Sequence, residues 1–465
     1  MSRFQATIKQ VPIISILALI ALLTGNQDTP PPIQPDPLEN LTDRIWISGQ
    51  ANFIFQAHPG FRSPYSAENS LRAAGEHATS RVLTLFTGFR LTRTTEILFD
   101  IESAGGRGLS DALGVAGFTN LDVVRNPTLG AKPYVARVEL HQTIPLSSEY
   151  VEAQRGPLNI ASSVPARRIE IRAGKMSTVD TFDLNGVGSD SHLQFMNWTA
   201  DNQGAYDYAA DTRGYTYGVS VEYIDLDWAF RFGEQLMPAV ANGIKLDWSI
   251  TRARGENFEL ELHPRAWSKR PAILRFLGYV NHANMGLYSE SIQRFIAGVD
   301  PVPDITATRR QRRVKYGVGL SAEQELRPGW RGYVRAGWND GKTESFAYTE
   351  VDGSFSLGTD LKGNKWKRPA DKMAAAYLVN SISKDHKNYL RLGGQGFLLG
   401  DGTLTYGTER IFETYYNFHI WRGSSLSVDY QRLVNPGYNQ DRGPISVTSL
   451  RFHVEDVASF RRGKH

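Results

Sequence analysis

The stretch YTYGVSVEY, from Tyr215 to Tyr223, decides the fold. Tyr215, Tyr217, Val219, Val221 and Tyr223 alternate there with Thr216, Gly218, Ser220 and Glu222. Strict period two is the mark of a β-strand with one apolar face and one polar face. The pattern runs outward in both directions. Trp228, Phe230 and Phe232 alternate with Asp227, Ala229, Arg231 and Gly233. Tyr134, Ala136, Val138 and Leu140 alternate with Val135, Arg137, Glu139 and His141. Ile169 and Ile171 alternate with Arg168, Glu170 and Arg172, and Ile244, Leu246, Trp248 and Ile250 with Lys245, Asp247 and Ser249. Near the end, Leu426, Val428 and Tyr430 alternate with Ser427, Asp429 and Gln431, and Leu450, Phe452 and Val454 with Arg451, His453 and Glu455.

Strands are expected to begin near residues 81, 96, 134, 167, 214, 226, 244, 257, 272, 314, 330, 353, 372, 410, 424 and 445, with 46–57 and 388–396 as further candidates. That is about sixteen, an even number of the kind that closes a single-chain barrel. Short and long connections do not alternate cleanly, so one missed or split strand is expected between 236 and 314.

Composition limits what the strands can build. The chain has 465 residues, of which 41% are hydrophobic and 22% charged, and mean hydropathy is -0.35. No polytopic helical membrane protein is this polar, since each span needs about 20 apolar residues. There is no Cys, which excludes a disulfide scaffold, a thiolate metal site and a lipid-anchored Cys. Twenty-two Phe, 20 Tyr and 9 Trp argue against a disordered chain. A net charge of +4, with both signs mixed, implies no nucleic-acid partner.

The start reads as an export signal. Arg3 and Lys9 precede an apolar run from Val11 to Leu23, too short to span a bilayer and the right length for a leader core. A signal peptide over 1–25 and a Pro-rich linker over 26–44 are expected, with one barrel over 45–465. An exported chain without Cys suits a bacterial envelope. A soluble secreted carbohydrate-binding β protein has the same period as a membrane barrel. Aromatics near strand ends, charges of both signs on the polar faces and long loops such as 175–213 and 282–313 favour the barrel.

Local motifs carry little chemistry. Ala336 to Thr343 (AGWNDGKT) matches a loose phosphate-loop pattern, but no helix can follow it, so it reads as a turn. The ten His are scattered, and no metal or cofactor site is indicated. No nucleophile–base–acid set supports an outer-membrane lipase or protease, so the chain reads as no enzyme. The basic run Arg309, Arg310, Arg312 and Arg313 reads as a solvated loop or a contact with lipid phosphates. In the 175–213 loop, Phe182-Asp183, Phe195 to Trp198 and Tyr206 to Tyr208 set rings beside carboxylates and amides. That is the chemistry of sugar binding, or an anchor of the loop to the wall.

Longer segments are more specific. GGRGLSDALGVAGFTN at 105–120, QFMNWTADNQGAYDYAADTRGYTYG at 194–218 and AGWNDGKTESFAYTEVDGSFSLGTDLKG at 336–363 resemble the carbohydrate-selective porin family of the OprB type. So do GGQGFLLGDGTLTYGTERIFETYYNFHI at 393–420 and DYQRLVNPGYNQDRGPISV at 429–447. The resemblance implies a transmembrane antiparallel barrel of about sixteen strands in the bacterial outer membrane. Its long loops would fold inward, and small carbohydrates would cross by passive diffusion. It also implies outer-membrane lipid and the barrel-assembly machinery as partners, and a monomer or trimer. Strand phase nominates Arg137, Glu139, Arg168, Glu170, Arg172, Glu222, Asp227, Arg231 and Asp429 as pore-lining. The loops nominate Arg107, Asp180, Asp183, Asn197, Trp198 and Asp207 for the constriction or sugar contact. Strands of this kind usually end the chain on an aromatic; here DVASFRRGKH follows Glu455, and Phe460 is the nearest candidate.

Overall fold

The computed structural model describes residue 38 and residues 41–126, 129–264 and 270–458. The leader, nearly all of the linker and Phe460 lie outside the described residues. A short helix, α1 (Leu41–Arg44), leads into β1 (Ile45–His58). Then come β2 (Glu76–Arg90), β3 (Thr95–Gly106), β4 (Tyr134–Pro145), the short β5 (Tyr150–Glu152) and β6 (Ser163–Pro165), and β7 (Arg168–Met176). Helix α2 (Trp198–Asp201) precedes β8 (Thr216–Ile224), β9 (Trp228–Leu236), β10 (Arg254–Leu262) and β11 (Ala272–Met285). Helix α3 (Tyr288–Ile296) precedes β12 (Arg310–Arg327), β13 (Trp330–Asn339), β14 (Gly353–Gly363) and β15 (Arg368–Ser381). Helix α4 (Lys384–Arg391) precedes β16 (Glu409–Trp421), β17 (Ser424–Val434) and β18 (Ile445–Val457). Apart from the β5–β6 pair, the strands form one closed antiparallel barrel of sixteen. The seam is β1 against β18, paired from Ser48–Val457 to Ala57–Thr448.

The strand count meets the expectation because two readings offset each other. The segment from residue 244 is not a strand; β9 and β10 pair directly with each other, Leu236 opposite Arg254, and leave no edge for it. Only an isolated bridge joins Leu246 to Pro238. Residues 46–57, held as a further candidate, are β1. Residues 388–396 begin inside α4, where Tyr389 and Leu390 are both buried, a helical rather than a strand pattern. Among the described residues of 236–314 there is therefore no missed strand.

Alternation sets the two faces. Large apolar residues of the outer face are about half exposed, such as Phe55 at 42%, Val318 at 54% and Leu450 at 48%. Their inward neighbours are polar and packed, with Glu259 at 0% and Arg335 at 1%. Among the described residues no helix is long and apolar enough to cross a membrane; the outer face of the strands is the apolar band. Aromatics mark its edges. Tyr223 and Trp228 lie 4.9 Å apart at one rim, while Tyr217–Trp248 (4.9 Å) and Tyr316–Trp338 (5.9 Å) lie at the other. Trp330 and Trp338 bracket β13, about 26 Å apart along the strand at about 3.3 Å per residue, which suits a band about 25 Å tall.

Short turns join β2–β3, β8–β9, β12–β13 and β16–β17 at the rim where β1 starts and β18 ends, the periplasmic rim by the rule for such barrels. One periplasmic connection, 146–167, is long. It folds into the barrel and is held there by Glu96, which accepts from the Ala161 N–H at 3.0 Å. This tuck is why connection lengths did not alternate in the sequence. The β3–β4 ladder slips after Asp100, so Ala136 and Arg137 both face inward between exposed Val135 and Val138. The single unbroken phase read from Tyr134 to Leu140 therefore changes at this bulge.

A cation in the middle of the lipid face tests the two-face assignment. Leu450→Arg should lower folding stability in lipid by about 2–4 kcal/mol, read by urea titration of the heat-modifiable folded band. An unchanged midpoint would mean that this face does not meet hydrocarbon.

Candidate functional site

The lumen of sixteen strands is too wide for wall side chains to fill, and the loops at the extracellular rim turn inward to occupy it. The wall holds the loop 177–215 by matching charge to backbone. Glu413 accepts from the Met196 N–H at 2.6 Å and the Asn197 N–H at 3.2 Å. Glu259 accepts from the Asp183 N–H at 2.9 Å. Arg335 donates to the carbonyls of Asp183 and Asp201 at 2.7 and 2.8 Å, and Arg451 to those of Ser191 and Gln194 at 2.5 and 2.8 Å. Carboxylates thus take loop N–H groups and guanidiniums take loop C=O groups, and buried backbone needs such partners.

Three of the loop residues nominated from sequence act within this anchor. Asn197 accepts from the Thr199 N–H and donates to Gln431 Oε1 at 3.1 Å. Asp183 accepts from the Gln203 N–H at 2.6 Å. Asp207 gathers the N–H groups of Phe346, Ala347 and Tyr348 and meets Lys315 Nζ at 3.2 Å. All three are buried; they fix loops to the wall and to each other.

One opening that the loop leaves is an off-centre cavity of about 270 Å³, with β2, β3 and β4 on its wall side. Arg137, nominated from strand phase, and Asp180 and Trp198, nominated from the loops, meet on its wall. Arg137 donates to Asp100 at 2.8 Å, Glu139 at 3.0 Å and Asp180 at 2.7 Å. Asp180 also closes a capping box with Ser177, which fixes its carboxylate. Trp198 stacks on Tyr348 with ring centres 5.6 Å apart and planes 6° apart, and its Nε1 donates to Asn120 O at 2.9 Å. Tyr208, within a segment singled out from sequence, lines it too, and residues that sequence reasoning missed complete the lining: Glu102, Tyr134, Arg213 and Tyr215 among them. Tyr134 and Tyr215 both donate to Glu102, the latter at 2.9 Å, and the Arg213 guanidinium lies 3.9 Å from the centre of the Tyr134 ring. Tyr208 stood beside the nominated Asp207. Glu102 and Tyr134 come from β3 and β4 and Tyr215 from the end of the loop before β8, so only the fold shows them as one group.

The remaining nominated wall residues form a belt. Arg172 reaches Glu139 at 2.6 Å, Arg168 reaches Glu170 at 2.5 Å, and His141 lies 3.3 Å from both Glu170 and Glu96. Farther round, Arg231 bonds Glu222 at 2.7 Å, Glu259 at 2.8 Å and Glu261 at 2.9 Å, and Arg275 bridges Glu261 (2.7 Å) to Glu323 (2.6 Å). These groups face inward but are packed rather than free in water. Asp429 lies behind the loop, with one oxygen near Ser449 Oγ at 3.4 Å. Asp227 occupies the β8–β9 turn rather than the wall. Arg107 sits apart in an exposed rim cleft, 3.3 Å from Asp111. The basic run is ion-paired rather than merely solvated: Arg309 meets Glu344 at 2.8 Å and Arg313 meets Glu290 at 2.6 Å. The segment that matches a loose phosphate-loop pattern is the end of β13 and a turn, as expected. Among the described residues, no three His, Asp or Glu side chains are grouped to hold a metal ion.

Of the channel's loop carboxyls, Asp201 has the most altered chemistry. Burial pushes it up to about 7, although it accepts from the Asp190 N–H at 2.8 Å and feels Arg335. A carboxyl raised in this way is neutral in the fold when it would be ionised in the open chain. The fold therefore loses stability as pH rises from about 4 through about 7. Over the last part of that range the channel wall gains a negative charge. Cation selectivity, measured as reversal potential in a salt gradient, should rise between pH 6 and 8, and Asp201→Asn should remove that step.

Comparison with known proteins places these observations. A family model described as carbohydrate-selective porin, OprB family, matches residues 68–455. Pseudomonas putida OprB in its high-pH structure is 15% identical, covers 90% of this chain and 95% of its own, and superposes with a TM-score of 0.67. The low-pH structure of the same protein has 11% identity, coverage of 90% and 94%, and a TM-score of 0.47. The outer-membrane channel DcaP of Acinetobacter baumannii has 10% identity, coverage of 89% and 97%, and a TM-score of 0.47. A search of curated proteins found no match.

Proposed function

The chain belongs to the carbohydrate-selective porin family of the OprB type, and from that membership we propose that its off-centre lumen cavity is the path of small neutral sugars. It is a barrel of the bacterial outer membrane, so its solutes come from outside and leave into the periplasm. Passage is passive diffusion; the barrel catalyses no chemistry. Residues 1–25 act as a leader for export, and barrel-assembly machinery and outer-membrane lipid receive the chain.

One observation carries the reading: the stacked Trp198–Tyr348 pair faces the same cavity as the Arg137–Asp180 pair. A sugar presents an apolar ring face and a polar edge. The aromatic pair offers the apolar surface, and its neighbours offer donors and acceptors to hydroxyls. Arg137 is already tied to three carboxylates, so its positive charge is compensated at close range. An uncharged solute meets local dipoles rather than one strong field. Neutral-sugar flux therefore depends only weakly on voltage.

Liposome swelling tests this directly. Vesicles holding the barrel should swell faster in glucose than in a disaccharide of equal osmolarity. Trp198→Ala should weaken sugar retention about 3- to 10-fold, the scale of one aromatic contact. Equal swelling in mono- and disaccharide, with no effect of Trp198→Ala, would refute the assignment. Release of fatty acid from the vesicle lipid would revive an enzyme.

A further inference from the structure

Below the loop anchor the lumen opens into a second cavity of about 220 Å³, roofed by Leu193 and walled by the periplasmic ends of β15 to β18. Its wall is chemically distinct. His419, Ser425 and His453 lie at one register level on three adjacent strands, His419 opposite Ser425 and Ser425 opposite His453. The level continues across the seam, where His453 faces Asn52. All four occupy the inward phase of their strands. The Arg–Glu belt gives way here to side chains that both donate and accept hydrogen bonds.

These groups carry unused capacity. His453 is 2% exposed, yet neither of its ring nitrogens has a hydrogen-bond partner among the described residues, and the same holds for Ser425 Oγ. The nearest carboxylate, Glu455, lies 3.8 Å from His453 Nε2, beyond hydrogen-bond distance. A buried polar atom with no partner is costly and calls for an occupant. The cavity also lies on the route out of the barrel. The His453 ring is 5.9 Å from that of His192, which lines the main cavity and holds Nε2 3.4 Å from Asp122. One imidazole of this pair lines each cavity.

We propose that the His419–Ser425–His453 row is a second solute subsite at the periplasmic exit, made for uncharged polyhydroxylated molecules. It rests on the sugar-diffusion reading and adds to it a place where the solute pauses after the constriction. Imidazole and hydroxyl suit a sugar edge because every hydroxyl both donates and accepts. Lys372 and Arg422 outnumber Glu455 by one formal charge around the same cavity, but none of the three belongs to the row.

The test is current block by glucose added to one side of a planar bilayer that holds the full-length barrel. With glucose on the periplasmic side, His453→Phe should raise the half-blocking concentration about tenfold, the scale of two lost hydrogen bonds. Block from the extracellular side should stay within about twofold. His453→Gln, which again supplies a donor and an acceptor, should recover most of the effect. Ser425→Ala should weaken periplasmic block severalfold and serves if His453→Phe fails to fold, as judged by heat-modifiable mobility. If all variants block like the wild type from both sides, the row binds only water and the subsite is refuted while the sugar channel stands. If the wild type is not blocked from either side, the sugar-diffusion reading falls and takes the subsite with it.

Discussion

A closed sheet of sixteen strands has one face in hydrocarbon and the other around a space that side chains cannot fill. That constraint governs the rest of the molecule. The outer face solves its half with apolar residues at every second position, bounded by rings at both rims. The inner face has to satisfy a folded-in loop whose backbone would otherwise be buried without partners. It does so with acidic and basic side chains: Glu259 and Glu413 for loop N–H groups, Arg335 and Arg451 for loop C=O groups. Between the anchors, Arg231 and Arg275 keep their own carboxylate partners. The inner wall is therefore a scaffold first, and the open path is what this scaffold leaves over.

Most of the barrel was legible because period two follows from strand geometry and needs no partner. The exceptions have physical reasons. Ile54 is apolar yet faces inward, so Phe53-Ile54-Phe55 blurs the alternation of β1, which closes the barrel. The segment from Ile244 to Ile250 alternates without being a strand, because its neighbours already pair with each other. The bulge at Asp100 turns Ala136 and Arg137 to the same side, which no periodicity can show.

The site was legible in kind more than in detail. Sequence patterns found rings beside carboxylates in the 175–213 loop, and Trp198 and Asp180 do line the cavity. They also nominated Asn197, Asp183 and Asp207 from the same composition, and these are loop anchors. Nothing local separates the two roles, since both need a buried polar group with a fixed orientation. The convergence of Glu102, Tyr134 and Tyr215 depends on strand order. So does the contact between Arg137 and Asp180, 43 residues apart.

The central claim is that the loop-filled lumen is a passive path with affinity for neutral sugar. Single-channel current through the reconstituted barrel, recorded as glucose is titrated on both sides, tests it most directly. The account predicts open channels whose ion current falls saturably as glucose enters and changes little with the sign of the voltage. Channels that conduct ions but ignore glucose up to molar concentration, or correctly folded barrels that never conduct, would contradict it.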